Sequence, residues 1–438
     1  MLNVADKMDK NLPGKLMALI RLIGKMADES GVGAFLVGGF VRDLLHGAVS
    51  YDLDVMIEGD AIRFAKKLAD KISGKVVTYK KFGTAVIVKK WPKWLGVPPR
   101  AGSKLKIDVA SARKETYEKP AALPTVRFSS LKEDLSRRDF TINAMAVNIN
   151  KKDFGLFIDF FDGKKDLKRS IIRVLHKKSF IDDPTRIFRA VRFEQRFNFK
   201  IEKHTKIFIK HAVKQKMFHH TQNQRIRDEL MLILREPHPG KAVFRMKELH
   251  EFKFIHPSLS LKKDAKKTFN SLTKCLKWDR TARAEDTTDE WLTYFMVMLE
   301  KLSKDEVCEV LKKFVFTRRT AVKLKSYNDF RVSTARKISR SAKMRPSEIY
   351  AILKPLEREV ILYTMAKVKS EKAKRRVKKY LTELERVTLK IKGHDIAAEG
   401  IKRGPRYTEL LRRVLYKKID GKITTKREEI LYLKKIVK

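Results

Sequence analysis

Cysteine is nearly missing from these 438 residues; Cys275 and Cys308 are the whole supply. Two thiols cannot form a disulfide framework or, alone, a zinc site, so stapled extracellular folds and zinc modules are excluded and a reducing, cytoplasmic setting is expected. No run approaches the ~18 consecutive apolar residues that cross a bilayer, and no membrane partner is expected. Residues 1–13 include Asp6 and Asp9 and contain no apolar core, so no secretory signal is expected. Acidic residues are also scarce: 52 Asp and Glu face 100 Lys and Arg, leaving +48. A heat-adapted surface would be enriched in Glu together with Lys. The deficit here points to a polyanionic partner, because each neutralised phosphate releases condensed counterions. No internal repeat or long low-complexity tract interrupts the chain.

What is present can build several cores. Hydrophobic residues make up 43%, and the length exceeds the ~250–300 residues at which one core stops growing. The early chain alternates two periodicities. Leu16, Leu19, Ile20 and Ile23 recur at helical spacing, as do Ala61, Phe64, Ala65, Leu68, Ala69 and Ile72. Short β-rich runs occupy 34–37, 52–57, 76–79, 84–88 and 105–110, and 91–103 reads as a loop from its Pro and Gly content. After about residue 180 helical periodicity dominates. The expected fold class is α+β: a mixed sheet with helices, followed by an all-helical arm. Expected boundaries are an N-terminal helix (1–28), a catalytic head (29–175), a neck (176–245), a body (246–330) and a tail (331–438). Basic residues are densest in the last hundred, as in residues 367–380, where a solvated helix face competes with RNA contact.

Candidate chemistry begins with Asp52 and Asp54. Two apart in a strand, they project from one face and can hold one or two Mg²⁺ through hard oxygen ligands. An isolated Asp-x-Asp is more often a surface turn, but Gly38 and Gly39 stand between a strand and a helix, where backbone N–H groups can meet phosphate. Arg42, on the first turn of that helix, can add charge to the same phosphates or simply pair with Asp43. Asp108 ends a neighbouring strand pattern and is a candidate third carboxylate. His219 and His220 lack partners at metal-ligand spacing.

The motifs GGFVRDLLHG (38–47) and YDLDV (51–55) resemble the head of class II tRNA nucleotidyltransferases and bacterial poly(A) polymerases, which share a polymerase-β-like fold. DLSRRDFTINAMA (134–146), IDFFDG (158–163), FIDDPTRIFRAVRFEQRFNFKI (180–201) and QRIRDEL (224–230) resemble the motifs that follow in that family, in the same order. Residues 393–423 resemble the end of many members. The resemblance implies that Arg138, Asp139 and Asn143 contact nucleotide phosphate or sugar. It also implies that Asp183 and Arg186 read the incoming base, with Arg189 and Arg192 lining the same pocket. Two positions depart from the family's usual Glu: Asp182, whose expected task is to orient Arg186, and Gln224. Arg403, Arg406, Arg412 and Arg413 are candidate phosphate contacts in the tail. Implied partners are tRNA, through its acceptor stem and elbow, and ATP and/or CTP, with no obligatory protein partner.

Base-edge chemistry supports the Asp183–Arg186 assignment. Cytosine and adenine each present an amino donor beside a ring-nitrogen acceptor, whereas uracil and guanine present a carbonyl beside a ring N–H. An acceptor-only carboxylate with a donor-only guanidinium suits the first pattern, and residues i and i+3 share a helix face. Taken alone, Asp183-Pro184 also reads as an ordinary helix start, with Asp capping and Pro first. Addition of a complete CCA end is the default expectation, and A-only or CC-only addition shares the motifs. Residues 116–128, similar to a bacterial subgroup that includes A-adding enzymes, occupy the region that tunes this choice. Phe-Gly-Thr (82–84) resembles the tRNA enzymes rather than poly(A) polymerases. A non-catalytic RNA-binding protein on the same fold is the alternative from another class.

Overall fold

The computed structural model describes residues 2–91, 104–122, 124–249, 252–282, 288–340, 342–398 and 404–437. Beyond Trp91, the loop expected over 91–103 lies outside them. The chain divides into two compact units, the first centred on Met1–Glu229 and the second on Leu230–Lys247 and Glu251–Lys438.

The first unit opens with α1 (Ala5–Asn11), α2 (Gly14–Glu29), β1 (Ala34–Val37), α3 (Gly39–His46), β2 (Asp52–Ile57), α4 (Ala61–Ile72), β3 (Lys75–Tyr79), β4 (Thr84–Lys90) and β5 (Lys104–Ser111). The expected strands over 34–37 and 52–57 and the helix over 61–72 form at those bounds, and β3, β4 and β5 run one or two residues longer than their apolar cores. Asp60 caps α4 by accepting from the Arg63 amide at 3.0 Å, which fixes that start. Next come β6 (Arg113–Thr116), β7 (Thr125–Phe128), α5 (Leu131–Ser136), β8 (Met145–Asn148) and β9 (Phe157–Asp159). Seven strands make one sheet in the order β3-β4-β5-β2-β1-β8-β9. Only β2 and β5 pair in parallel, a register that sets Asp54 opposite Asp108. The wholly buried β1 runs through the interior of the sheet, and Phe35, Val37, Met56, Leu135 and Ala146 pack in one core cluster. β6 and β7 form a separate antiparallel hairpin.

The unit continues through α6 (Gly163–Lys168), β10 (Ile171–Ile172), α7 (Ser179–Asp182), α8 (Arg186–Arg196), β11 (Lys200–Ile201), α9 (Lys203–Lys214) and α10 (Asn223–Leu234). α8 turns Ile187, Phe188, Ala190 and Val191 inward, leaving Arg189 on another face. α8 begins two residues later than the expected start at Pro184, because residues 184–185 form a single turn first. Asp183 still caps that turn, accepting from the Thr185 amide at 3.0 Å.

The second unit is helical: α11 (Pro239–Leu249), α12 (Ala265–Thr281), α13 (Glu290–Met298), α14 (Lys304–Phe314), α15 (Arg318–Ile338), α16 (Pro346–Leu353), α17 (Arg358–Lys367), α18 (Glu371–Thr382), α19 (Gly393–Ala397), α20 (Pro405–Ile419) and α21 (Lys426–Val437). α13 and α17 are buried nearly all round, as their low polar content requires. Lys323 is buried between Asp289 and Glu359, 2.6 Å from each. Ile396, Leu410, Val414 and Leu433 close a smaller core among the last helices.

Candidate active site

The cleft of the first unit starts at one glycine. Gly38 sits at φ 68°, ψ −132° as the N-cap of α3, a conformation that disfavours any side chain. A Cβ built there would lie 2.9 Å from Nη1 of Arg138 and 3.3 Å from Oδ2 of Asp54. The absent side chain therefore lets a guanidinium and a carboxylate approach the first amides of α3. Both glycines, Arg42, Asp54 and Arg138 line a cleft of about 670 Å³, together with Asp139, Asn143, Asp183, Arg186 and Arg189.

Asp52 and Asp54 share a face of β2, with Leu53 buried on the other. Burial pushes the Asp54 carboxyl up to about 6; Arg138 and Lys106 oppose that, while Asp108 and Asp52 add to it. Asp54 is the one of the three carboxylates that lines the cleft; Asp52 stands exposed at the strand start. Asp108 stands opposite Asp54 on the neighbouring strand and, like Asp52, is not among the cleft-lining residues. Its Oδ2 pairs with Lys106 Nζ at 2.5 Å, because the lysine two residues earlier projects from the same strand face. Among the described residues no group of three His, Cys, Asp or Glu is gathered closely enough to cage a metal. Two carboxylates on one strand face, one of them held above its ordinary range by burial, still fit a hard divalent ion that takes its remaining oxygens from phosphate and water.

The segment 134–143 organises the wall beside them. Arg138 donates to Asp134 Oδ2 through Nε and Nη2, at 3.3 and 3.0 Å. Burial pushes Asp134 up, but Arg138 and Arg137 outweigh it and hold the carboxyl below its ordinary range. Arg42 pairs with Asp43 at 2.7 Å and also donates Nη1 to Asn143 Oδ1 at 2.7 Å. Its guanidinium lies 4.6 Å from the Phe197 ring centroid. Asn143 in turn donates Nδ2 to Asp139 Oδ1 at 2.9 Å. Arg42 is thus paired with Asp43 and at the same time lines the cleft.

Asp183 and Arg186 meet at the same cleft from either side of a turn. Asp183 accepts from the Thr185 hydroxyl at 2.6 Å and pairs with Arg225 at 2.8 Å. Arg186, 6% exposed, donates Nη1 to Ser179 Oγ and Nη2 to the Arg137 carbonyl, each at 2.7 Å. Two of its five N–H groups are so fixed, leaving three to meet a base. The orienting task expected of Asp182 falls to Ser179 and the Arg137 carbonyl; Asp182 instead stands 3.9 Å from His176. Arg192 departs from its expected place. Three residues beyond Arg189 on α8, it is not among the cleft-lining residues, lies 5.3 Å from the Phe193 centroid and acts on Glu229. Gln224 is exposed on α10. Arg406, Arg412 and Arg413 are exposed on α20, and Arg403 lies outside the described residues.

One wall was not among the expected site residues, although 82–84 and 116–128 were singled out as segments. Phe82, Thr84, Arg113, Glu115, Tyr117, Pro124, Arg137 and Arg225 also line the cleft. Glu115 is the hub: its Oε1 takes Arg137 at 2.7 Å and Arg113 at 3.1 Å, and its Oε2 takes the Tyr117 hydroxyl at 2.9 Å. Burial and the Glu115 charge push the Tyr117 phenol well above its ordinary range. The usable signal was the alternation Arg113-x-Glu115-x-Tyr117, which puts three polar groups on one side of a strand.

Residues 34–173 match the model of the poly A polymerase head domain, and residues 198–262 match that of the probable RNA and SrmB-binding site of polymerase A. The A-adding tRNA nucleotidyltransferase of Halalkalibacterium halodurans is 31% identical over 98% of this chain and 95% of its own length. The chain belongs to the tRNA nucleotidyltransferase family. The Geobacter sulfurreducens member called A-adding tRNA nucleotidyltransferase is 41% identical over 98% of this chain. The chain spans about half the length of that relative, 48%, and 45% of a namesake from Aquifex aeolicus. Among solved members, the complex of a CCA-adding enzyme with ATP has a TM-score of 0.79 and 35% identity over 98% of this chain and 97% of its own. The Thermotoga maritima CCA-adding enzyme complexed with tRNA has 0.77 and 33%, over 100% and 99%. No helix among the described residues is long and apolar enough to cross a membrane.

Proposed function

We propose that this chain adds nucleotides to the 3′ end of tRNA without a nucleic-acid template, taking ATP and/or CTP and releasing pyrophosphate. One observation carries the reading: Gly38, Asp54 and Arg138 converge on the same cleft as Asp183 and Arg186, so triphosphate chemistry and base selection face each other. Gly38, Gly39, Arg42 and Arg138 would hold the triphosphate, and Asp139 and Asn143 would fix Arg42 and Arg189 around it. Asp52 and Asp54 would hold Mg²⁺, which when bound polarises phosphate oxygens and lowers the pKa of the attacking hydroxyl. Asp183 would accept from the amino group and Arg186 would donate to the ring nitrogen of adenine or cytosine, and uracil or guanine would leave buried groups unpaired at about 1–3 kcal/mol each. The exposed arginines of α20 would contact tRNA phosphates without reading sequence. The cytoplasm, where tRNA and nucleoside triphosphates meet, is the compartment this reading needs.

Addition of terminal A alone is the narrower assignment, supported by the A-adding relatives. Complete CCA addition is supported by full-length likeness to CCA-adding enzymes solved with ATP and with CTP. Incubating the protein and Mg²⁺ with labelled ATP or CTP and tRNA ending at the discriminator base, at C or at CC separates them. Label entering only CC-ended tRNA, from ATP, assigns A addition. Label in none of them sinks the proposal, and Asp54→Ala is expected to abolish whichever signal appears.

A further inference from the structure

Phe128 ends β7 with its ring 72% exposed. Single exposed apolar residues are common; the position of this one is not. Its register partner across the hairpin is Arg113, and directly opposed residues present side chains on the same face. Arg113 lines the active-site cleft, so the Phe128 ring stands on the cleft side at its rim. The turn from the opposite direction agrees: a Cβ built on Gly83 would lie 3.6 Å from Cε1 of Phe128, and Phe82 and Thr84 on either side of Gly83 line the cleft. Lys80 and Lys81, exposed in the turn that leads into Gly83, and Arg113 across the hairpin supply cations on this side, while Arg127 faces the other.

We propose that Phe128 is a stacking platform for an unpaired base at the acceptor end of tRNA. This rests on the tRNA 3′-end reading above and names a positioning residue that reading does not contain. An aromatic face flanked by cations suits single-stranded nucleic acid, since every base offers a π-face and each phosphate a charge. A protein partner would need apolar area, and one ring amid lysines does not supply it. The incoming nucleotide is held by residues deeper in the cleft, so the ring at the rim meets the strand being extended.

The test compares Phe128→Ala, Phe128→Tyr and Phe128→Trp in the full chain. Phe128→Ala is expected to raise the KM for CC-ended tRNA about fivefold or more, with kcat and the KM for ATP held. Phe128→Tyr and Phe128→Trp should restore it. Independently of activity, the indole in Phe128→Trp should be quenched on titration with a CC-ended RNA hairpin and not with ATP alone. An unchanged KM for tRNA in Phe128→Ala, or an unquenched indole, overturns the proposal. If the wild type extends no tRNA, the functional reading fails, while the titration still decides whether RNA stacks on this ring.

Discussion

Arg189 directs Nε and Nη2 at a single oxygen of Asp139, at 2.8 and 2.7 Å. The other oxygen accepts from Asn143 Nδ2 and the Phe140 amide, at 2.9 and 2.8 Å. Asp139 is almost wholly buried, and burial alone would push its carboxyl up; Arg189 and Asn143 outweigh that and hold it below its ordinary range. The pair ties α8, which carries Arg189, to the segment that positions Arg42 and Arg138. Removing one member of a buried pair leaves an uncompensated charge, so Asp139→Ala should lose about 3–5 kcal/mol of stability. Urea unfolding monitored by circular dichroism measures this; a loss below about 1 kcal/mol would mean water replaces the carboxylate freely.

Gly38→Ala should damage the site more than the fold. Alanine at φ 68° with its Cβ 2.9 Å from Arg138 Nη1 must both strain the backbone, at about 1–3 kcal/mol, and displace that guanidinium. A rise of about tenfold or more in the KM for ATP is expected, by analogy with a lost charge-assisted contact of about 1.5–3 kcal/mol. An unaltered KM for nucleotide would show that Arg138 does not depend on this gap.

How much could be read in advance follows from how local each signal is. Gly38, Asp52 and Asp54 announce themselves within a strand-turn-helix-strand stretch, and the apolar runs of β1 and β2 specify buried strands at their observed bounds. The hairpin of β6 and β7 does not: RKET is short and wholly polar, TVRF short and half polar, and their pairing is a relation across eight intervening residues. Ser179 is an unremarkable residue until folding brings it to Arg186, and Arg225 reaches Asp183 from forty-two positions away. The pattern shows the strand of Asp108 but not that Lys106 pairs with its carboxylate. Sequence shows residue types and periodicity; which guanidinium takes which acceptor is decided by packing.

Ser179→Ala tests whether Arg186 selects bases because it is held. Ser179 is fully buried and accepts Nη1 at 2.7 Å; without its hydroxyl, one N–H of Arg186 is freed and the guanidinium can turn. The expected result is a loss of discrimination against UTP and GTP of about tenfold or more, the worth of one hydrogen bond to a charged group, with correct addition reduced less. Competition assays with mixed nucleotides on CC-ended tRNA read this ratio. Undiminished discrimination would leave selection to Asp183 and the Arg137 carbonyl.

A pH dependence away from the cleft is expected at Glu202, the N-cap of α9. Its Oε2 accepts from the Thr205 amide at 2.9 Å and its Oε1 meets His204 Nδ1 at 2.9 Å. Burial favours the neutral acid, but the His204 and Thr205 donors outweigh it and draw the carboxyl down to about 2. An unfolded glutamate titrates near ~4.3, so the folded value is the depressed one. The stabilisation is therefore complete above the unfolded value and drains away as pH falls from about 4 towards 2. Glu202→Ala should cost about 1 kcal/mol at pH 7, the usual worth of a helix cap. Its urea midpoint should approach that of the wild type as pH falls from about 4 to about 2, where the wild-type cap is protonated as well. A gap that stays constant down to pH 2 would place the contribution in packing of the Glu202 stem rather than in its charge.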